Sequence, residues 1–455
     1  MVITFCKMIE MKRFFLIISV FAGIAASAQT KPMTMKECME YALEHSSDIE
    51  IQRADNSDSR IDRRDAILAA FAPEISAGTA VQYSMGRTPD PNTNIYYKNN
   101  TFRNGYSADA SIYLFNGFEA INNIKIAKTA VAMGISSEQQ TSDKICLAVM
   151  EAYTNVVYYT YLTDNLGEQV ETAKSAVLRA ERQEELGQKG HADVVQLRAD
   201  LADREYQYVT TDNKRKDAMI TLQSLMLWPV DEELIIDTSL SDSEQTLTDP
   251  TVKDDIISCA LNNNPSALIA KGKLDIARKR LNTAKWQLLP SLSLSAGWNT
   301  NYNFAVPKPE STSSFPYLFR NNMGGNVQVT MALPIDTRLA RLSRISKSRN
   351  EVRKAQATYD KTLKDIEAEV MRAINDRDGA ARAYLLAERR AETQEESFML
   401  NTRKMEQGLI SPIEFRTASD NYINAKAEKI GSQLKLRLAE CVVRYYNGIS
   451  YIDQL

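Results

Sequence analysis

The chain has 455 residues, of which 44% are hydrophobic and 25% charged, a length sufficient for two or three globular domains. Its 55 Lys and Arg residues against 58 Asp and Glu residues give a formal net charge of -3. A nucleic-acid-binding surface requires an excess of basic residues, so this composition predicts no nucleic-acid partner.

The N-terminus has the order of segments that is typical of a secretory signal peptide. Met11, a second candidate start, is followed by two basic residues, an apolar run from Phe14 to Ile24 and three small residues. This order predicts that residues 1–28 are removed on export. The apolar run is shorter than the roughly 18 residues that a transmembrane helix needs, and no later run is longer. A helical membrane protein is therefore excluded.

The first half of the mature chain, residues 29–230, is predicted to contain a helix, two strands and a long helical hairpin. The strands are predicted near 74–83 and 106–115 and the hairpin over 119–227. Apolar and polar residues alternate in both strands, over about the 9 to 11 residues of a transmembrane β-strand. In the second strand, the residues expected to share the apolar face are Ala108, Ala110, Ile112 and Leu114.

Proline marks the joints between these elements and leaves two long gaps. No proline occurs between Pro91 and Pro229, or between Pro334 and Pro412. Because proline breaks helix interiors, very long helices can run through both gaps. Apolar residues recur there at alternating three- and four-residue steps, as in coiled coils. A helix from about Glu119 to Leu186 would be on the order of 100 Å long.

An acidic linker, predicted over residues 231–250, precedes a second half, residues 251–455, with the same order of elements. Its strands are predicted near 290–299 and 325–335, and its hairpin over 337–448. Four short motifs of the first half recur in order, between 217 and 221 residues later, which indicates a tandem duplication. The pairs are Ala42-Leu43 with Ala260-Leu261, Pro73 with Pro290, Asn116 with Asp336, and Gly187 with Gly408.

Four strands per chain are too few to close a membrane-spanning barrel. About eight strands is the smallest workable number, and an open edge in lipid leaves backbone groups without hydrogen bonds. The strand count therefore implies oligomerisation, and three copies would supply twelve strands. The predicted fold class is an α+β membrane protein in which each chain adds four strands to a shared barrel that long helices continue.

Taken together, the order, duplication and spacing of these motifs resemble the TolC family of outer-membrane efflux proteins. The residues that carry the resemblance are the strand entries Pro73 and Pro290, the strand exits Asn116-Gly117 and Pro334-Ile335-Asp336, and the hairpin tips from Gly187 to Val194 and from Gly408 to Phe415. The resemblance implies a homotrimer with its barrel in the outer membrane, in contact with lipid, and a helical periplasmic extension. It also implies an exit duct that a periplasmic adaptor protein and an inner-membrane pump complete, without a cofactor.

The second hairpin tip gives the most specific residue hypothesis. In the family, an acidic residue six positions after the tip glycine lines the periplasmic entrance, which here implies Glu414 after Gly408. Asp193 has the same position after Gly187 in the first repeat. Three carboxylates around a narrow pore would repel one another and favour cations.

Glu414 has a second interpretation. The run from Ser411 to Glu414 matches a helix capping box, with proline at the first helical position. The two roles are compatible. The positions that flank the tip glycine and hold the gate closed in the best-known family members are Met405 and Ile410 here, so that closing network is not expected.

Two other classes of function compete with the channel interpretation. An enzyme is not expected: the only histidines, His45 and His191, are far apart, and neither a catalytic nor a metal site is predicted. A periplasmic coiled-coil adaptor or scaffold would have similar long helices. It would not need four alternating strands with aromatic residues near their ends, as barrels have at the membrane interfaces. Those residues are Tyr83, Tyr113, Phe115, Trp298 and Tyr302.

Overall fold

The computed structural model describes residues 32–89, 95–98, 100–229, 231–239, 253–333, 335, 338–407 and 409–454. The predicted signal peptide lies outside the described residues, as do three predicted site residues, Pro334, Asp336 and Gly408.

The elements of the two halves follow one another in the same order. The first half contains α1 (Met35–His45), α2 (Ser47–Phe71), β1 (Glu74–Ser84), β2 (Arg87–Pro89), β3 (Tyr96–Lys98), β4 (Asn100–Phe115), α3 (Glu119–Glu185) and α4 (His191–Met226). The second contains α5 (Lys253–Asn263), α6 (Pro265–Trp286), β5 (Ser291–Val306), α7 (Phe315–Asn321), β6 (Gly324–Ala332), α8 (Arg338–Glu406) and α9 (Pro412–Tyr446), with a final 3-10 turn at Tyr451–Gln454.

The two proline-free gaps contain the longest helices, α3 with 67 residues and α8 with 69. Each folds back on a shorter partner, α4 or α9, and packs against it along its length. In α3 the buried positions include Val149, Val156 and Val177, at coiled-coil spacing. Within the described part of the chain, no helix combines the length and the apolar character required to cross a bilayer.

A four-stranded antiparallel sheet, in the order β1-β4-β5-β6, joins the two halves. β4 begins at Asn100 and β5 extends to Val306, so both strands are longer than the sequence predicts. The additional residues pair with each other, from Asn100 with Val306 to Gly105 with Asn301. Alternating asparagines give this part of β5 the composition of a loop, which explains why it was not predicted.

The sheet has one apolar and one polar face. The apolar face carries Ile75, Val81 and Tyr83 of β1, Phe102, Tyr106 and Ile112 of β4, Leu292, Leu294, Trp298 and Phe304 of β5, and Val327, Val329 and Met331 of β6. The polar face carries Ser76 and Gln82 of β1, Ser107, Asp109 and Tyr113 of β4, Ser293, Ser295 and Asn299 of β5, and Asn326 and Gln328 of β6.

Two predictions for the end of β4 differ from the structure. Leu114 was expected on the apolar face, but the ladder shifts by one residue between Tyr113 and Phe115. Leu114 is thus left without a partner, and Phe115 pairs with Leu292 on the apolar face. Tyr113, expected in an interfacial belt, pairs with Ser293 on the polar face.

The helices beside the sheet form a single layer that repeats the order of the strands. Contacts join α2 to α3, α3 to α6 and α6 to α8. Asn122 of α3 donates to the Lys279 carbonyl of α6 at 3.0 Å, and Arg278 of α6 donates to Gln356 of α8 at 3.0 Å. We call this layer of helices the wall. Each strand is continued by one helix of the wall, and α2 and α8 form the two free edges of the wall.

The largest apolar core lies further along the hairpins, where α1 packs on α3. Its fully buried members include Met39, Met150, Val156 and Leu222. The start of the described chain is tied to the segment between the halves, because the Met33 amide donates to the Ile235 carbonyl at 2.8 Å. This core fixes the part of the hairpins from which their tips project.

Candidate functional site at the hairpin tips

The first tip is built around a glycine in the left-handed region. Gly187 has φ +68°, a conformation that side chains with a Cβ rarely adopt. Its amide donates to the Glu184 carbonyl at 2.9 Å, and the Gln188 amide donates to the Gln183 carbonyl at 2.7 Å. These bonds satisfy the last carbonyls of α3 and reverse the chain within a few residues.

The second tip ends α8 and begins α9 with a capping box. The Glu414 amide donates to Ser411 Oγ at 3.3 Å, and the Ser411 amide donates to Glu414 Oε2 at 2.9 Å. The Leu409 amide donates to the Lys404 carbonyl at 2.9 Å, which ends α8. The Glu414 carboxylate therefore stabilises the start of α9.

The two tips place an acidic residue at the same position of the following helix. Asp193 is the third residue of α4 and Glu414 the third of α9, and both are exposed in the single chain. A carboxylate in the first turn of a helix interacts favourably with the helix dipole. Only the second tip has a side-chain cap, because the residue before α4 is Gly190.

Two helices behind the tips are joined by a cluster of charged side chains that we call the tip clamp. It contains Asp200, Asp203 and Arg204 of α4 and Arg416 and Asp420 of α9. Arg416 Nε lies 3.0 Å from Asp200 Oδ1, and Arg416 Nη2 donates to Asp203 Oδ2 at 2.8 Å. Arg204 Nε lies 3.0 Å from Asp200 Oδ2 within α4, and its Nη2 lies 3.5 Å from Asp420 Oδ1 of α9.

The charged groups of the clamp are largely buried, so the stability of the protein depends on their pairing. The Arg204 side chain is 8% exposed and that of Asp200 16%, so leaving either charge without an opposite charge would strongly destabilise the protein. The hydrogen bond to Asp203, followed by the nearby charges of Asp200 and Asp420, raises the pKa of Arg416 above its ordinary value. The clamp thus holds the first-repeat and second-repeat hairpins together by charged contacts that depend on their relative position.

The sequence did not single out the tip clamp, although it contains a signal for it. Asp200 and Arg204, like Arg416 and Asp420, are opposite charges four residues apart, a spacing that places them on one helix face. Such pairs are frequent on exposed helices. That these two pairs face each other follows from the way the two hairpins meet, since Arg416 and Asp203 are 213 residues apart in the chain.

The predicted strand–helix junctions have conformations that their residue types favour. Pro73 stands between α2 and β1 and holds Ala72 in extended backbone, and Pro290 stands between α6 and β5. Gly117 has φ +65°, and a Cβ there would lie 2.5 Å from the Trp286 carbonyl oxygen. The Asn116 side chain accepts from the Ala120 amide at 3.4 Å. These residues form the joints at which the strands of the sheet connect to the helices of the wall.

Comparison with known proteins identifies relatives of both halves. The family model described as "Outer membrane efflux protein" matches residues 39–226 and again 256–444. The outer membrane protein TolC of Vibrio cholerae is 27% identical over 312 residues, which cover 66% of this chain and 68% of the relative.

Solved structures share the fold. The CmeC outer membrane channel of Campylobacter jejuni superposes with a TM-score of 0.75 at 15% identity, over 92% of this chain and 85% of that one. The outer membrane protein VceC of Vibrio cholerae gives a TM-score of 0.71 at 16% identity, over 92% of this chain and 96% of that one. At these identities the likeness concerns the fold alone.

Proposed function

Because the chain belongs to the outer membrane efflux protein family, we propose that three copies form a passive exit duct with a gate at the hairpin tips. The family match confirms the resemblance to the TolC family. The likeness to solved structures confirms the α+β fold class predicted from the sequence. The chain is an efflux channel protein of the outer membrane, and not an enzyme.

The proposal of a trimer rests on the open edges of the sheet. β1 and β6 each pair on one side only, and both strands are exposed along almost their whole length. Since β1 and β6 run in opposite directions, β6 of one copy can continue the antiparallel order with β1 of the next. Three copies supply twelve strands without a free edge, with apolar side chains towards lipid and polar ones towards the lumen.

The edges of the helical wall support the same closure. α2 and α8 lie at opposite edges of the layer, in line with β1 and β6. α2 contains six acidic and four basic residues, whereas residues 338–364 of α8 contain nine basic and two acidic residues. Neighbouring copies would therefore join edges of opposite charge, which favours this register over like-with-like contacts. A coiled-coil scaffold would not require these matched edges.

The tip clamp supports the proposal of a gate. For the periplasmic end to widen, α9 must move relative to α4, and this movement separates Arg416 from Asp200 and Asp203. In the closed duct three copies of Glu414 and Asp193 would surround the entrance and favour cations there. In the proposed duct Glu414 has both roles, helix cap and pore-lining carboxylate. The two roles are compatible because the capping interaction uses only one of the two carboxylate oxygens.

Exposed apolar side chains at the tips support docking of a periplasmic adaptor. Leu186 is 71% exposed, Leu409 68% and Ile413 61%. The exposed positions of the neighbouring helices are mostly polar, so these three apolar side chains stand out. An adaptor that covers these residues while it moves α9 would couple the duct to an inner-membrane pump. A passive duct fits this arrangement, because the pump supplies the energy.

The gate is tested by conductance in planar bilayers. The mature protein should give a small conductance, and Arg416→Ser should raise it several-fold, because the clamp then lacks its link from α9 to Asp203. Arg198→Ser is the matched control: Arg198 Nη2 pairs with Glu181 Oε1 at 2.6 Å within the first hairpin, so its loss leaves the two hairpins connected.

The possible outcomes test the duct and the gate independently. A wild-type current with equal conductance in both arginine variants would contradict the gate and retain the duct. The absence of any current from wild type and from Arg416→Ser, in correctly inserted protein, would contradict the duct itself.

A further inference from the structure

The wall just below the sheet carries an excess of positive charge that the gate does not use. α6 contains six basic residues and one acidic residue, and the facing part of α8, residues 338–364, contains nine basic and two acidic. The whole chain, by contrast, has a net charge of -3. The positive charge is therefore concentrated in one zone of the molecule.

A groove between α6 and α8 collects part of this charge on one face of the wall. Its lining includes Lys273, Arg280, Ile276 and, from α8, Lys354 and Glu351. Lys354 Nζ lies 3.0 Å from Glu351 Oε1, so that pair is neutral overall. Lys273 and Arg280 are exposed, and neither has a carboxylate within 4.0 Å among the described residues. The groove thus presents two uncompensated cations from each chain.

The aromatic residues below the sheet identify which side of α6 faces lipid. Trp286 packs against Phe118 at 5.4 Å between ring centroids, and Phe118 packs against Phe115 at 5.1 Å. Phe115 lies on the apolar face of the sheet, opposite Leu292. Trp286 therefore marks the membrane side of the last turn of α6.

The turn of the helix then places the groove on the other side. At 3.6 residues per turn, Arg280 points about 120° and Lys273 about 140° away from Trp286. Lys271 and Arg278, at about 60° and 80°, lie nearer the membrane side. The side of the wall remote from lipid is the lumen of the proposed duct, so the uncompensated cations of the groove belong to the lumen.

We propose that the groove between α6 and α8 is a lumenal binding surface for organic anions, which makes anionic molecules a cargo class of this duct. The inference rests on the proposed function for its lumenal placement. Three copies would surround the passage with six uncompensated cations, and rings of fixed charge select permeant ions of opposite sign. The acidic tips favour cations, so the basic zone would act on cargo only after it has passed the gate.

The test compares two matched double variants of the full mature protein. Lys273→Gln/Arg280→Gln removes the groove cations, and Lys271→Gln/Arg278→Gln removes one lysine and one arginine from the membrane side of α6. The probe is a pyrene dye with three sulfonates, and its binding to detergent-extracted protein is measured by fluorescence anisotropy at low and high salt.

We expect the dissociation constant at low salt to rise about tenfold in the groove variant and less than about twofold in the control. In bilayers, with the gate opened by Arg416→Ser, the chloride-to-potassium permeability ratio should fall about twofold in the groove variant alone. Glutamine retains most of the side-chain length, and an unchanged thermal midpoint would verify folding.

Absence of dye binding to wild type, or equal weakening in both variants, would overturn the inference. Dye binding does not require conduction, so it decides the inference even where the duct fails the bilayer test. Normal currents together with no difference between the variants in dye binding would retain the duct and reject the anion surface.

Discussion

At the residue scale, the two hairpin tips differ mainly in the residue that precedes the second helix. Both have an acidic third helical residue, but Ser411 caps α9 through its side chain, whereas Gly190 provides no side-chain cap for α4. The two tips therefore differ in local stability. The second tip, which has the side-chain cap, contains Glu414 of the proposed entrance.

This difference predicts opposite effects of exchanging the capping residues. Ser411→Ala should destabilise the start of α9 by about 1 kcal/mol, because the Glu414 amide loses its partner. Gly190→Ser should stabilise the start of α4 by a few tenths of a kcal/mol, since Gly190 already has the extended backbone of a cap. Hydrogen exchange of the first-turn amides measures both. Equal exchange at the two tips in wild type would contradict the account.

A second residue-scale prediction concerns close packing of α2 on α3. A Cβ at Gly134 would overlap Asn56 Oδ1, and Asn56 is buried and donates to Glu138 at 2.9 Å. Gly134→Ala should therefore destabilise the wall by about 1–3 kcal/mol. At Gly379, a helical glycine of α8 with open space around it, alanine should stabilise by about 0.5–1 kcal/mol. Thermal unfolding of the two variants should move in opposite directions from wild type.

At the element scale, much of the fold could be predicted from residue patterns. The absence of proline and the three-four apolar spacing indicated α3 and α8, and the alternation indicated the strands. The extension of β5 to Val306 could not be predicted, because its asparagines lie on the polar face and read as a loop. The tip clamp could not be predicted for a different reason: its ion pairs join two hairpins that lie far apart in the chain, and no local pattern describes how the hairpins meet.

The two faces of β6 provide a test of the membrane orientation of the sheet. Val327 is 75% exposed on the apolar face, and its neighbour Gln328 lies on the polar face. Val327→Arg should lower the stability of the inserted protein by about 2–4 kcal/mol, because it places a charge in lipid. Gln328→Arg should be tolerated, since it faces the lumen. Comparable loss of inserted protein with both variants, on gels of membrane fractions, would contradict the assignment of the faces.

The second hairpin has an ion pair that gives it a defined pH dependence. Lys429 of α9 lies 3.0 Å from Glu388 of α8, and its hydrogen bond lowers the pKa of Glu388 below the ordinary 4.5. A lowered pKa contributes stability above pH 4.5 that disappears as the pH falls through the folded-state pKa.

Glu388→Gln should therefore lower the thermal midpoint at pH 7 by an amount that corresponds to about 0.5 kcal/mol, since both side chains are partly exposed. The difference from wild type should vanish well below pH 4.5. A difference that stays constant over this range would indicate that the ion pair does not contribute.

At the scale of the whole molecule, the proposed duct depends on closure of the sheet and of the helical wall. One chain provides an arc of four strands and four wall helices with unpaired edges in line, and each of the proposed activities requires that copies join these edges. The gate needs three tips around one entrance, and the basic groove needs a closed wall to become lumenal. A single chain could perform neither function.

The most direct test is the mass of the complex extracted from the outer membrane in mild detergent, measured by native mass spectrometry. We predict a single species of three subunits, which dissociates to one chain on heating. A folded species of one chain, or one that needs no detergent to remain in solution, would contradict the closed barrel and with it the proposed duct.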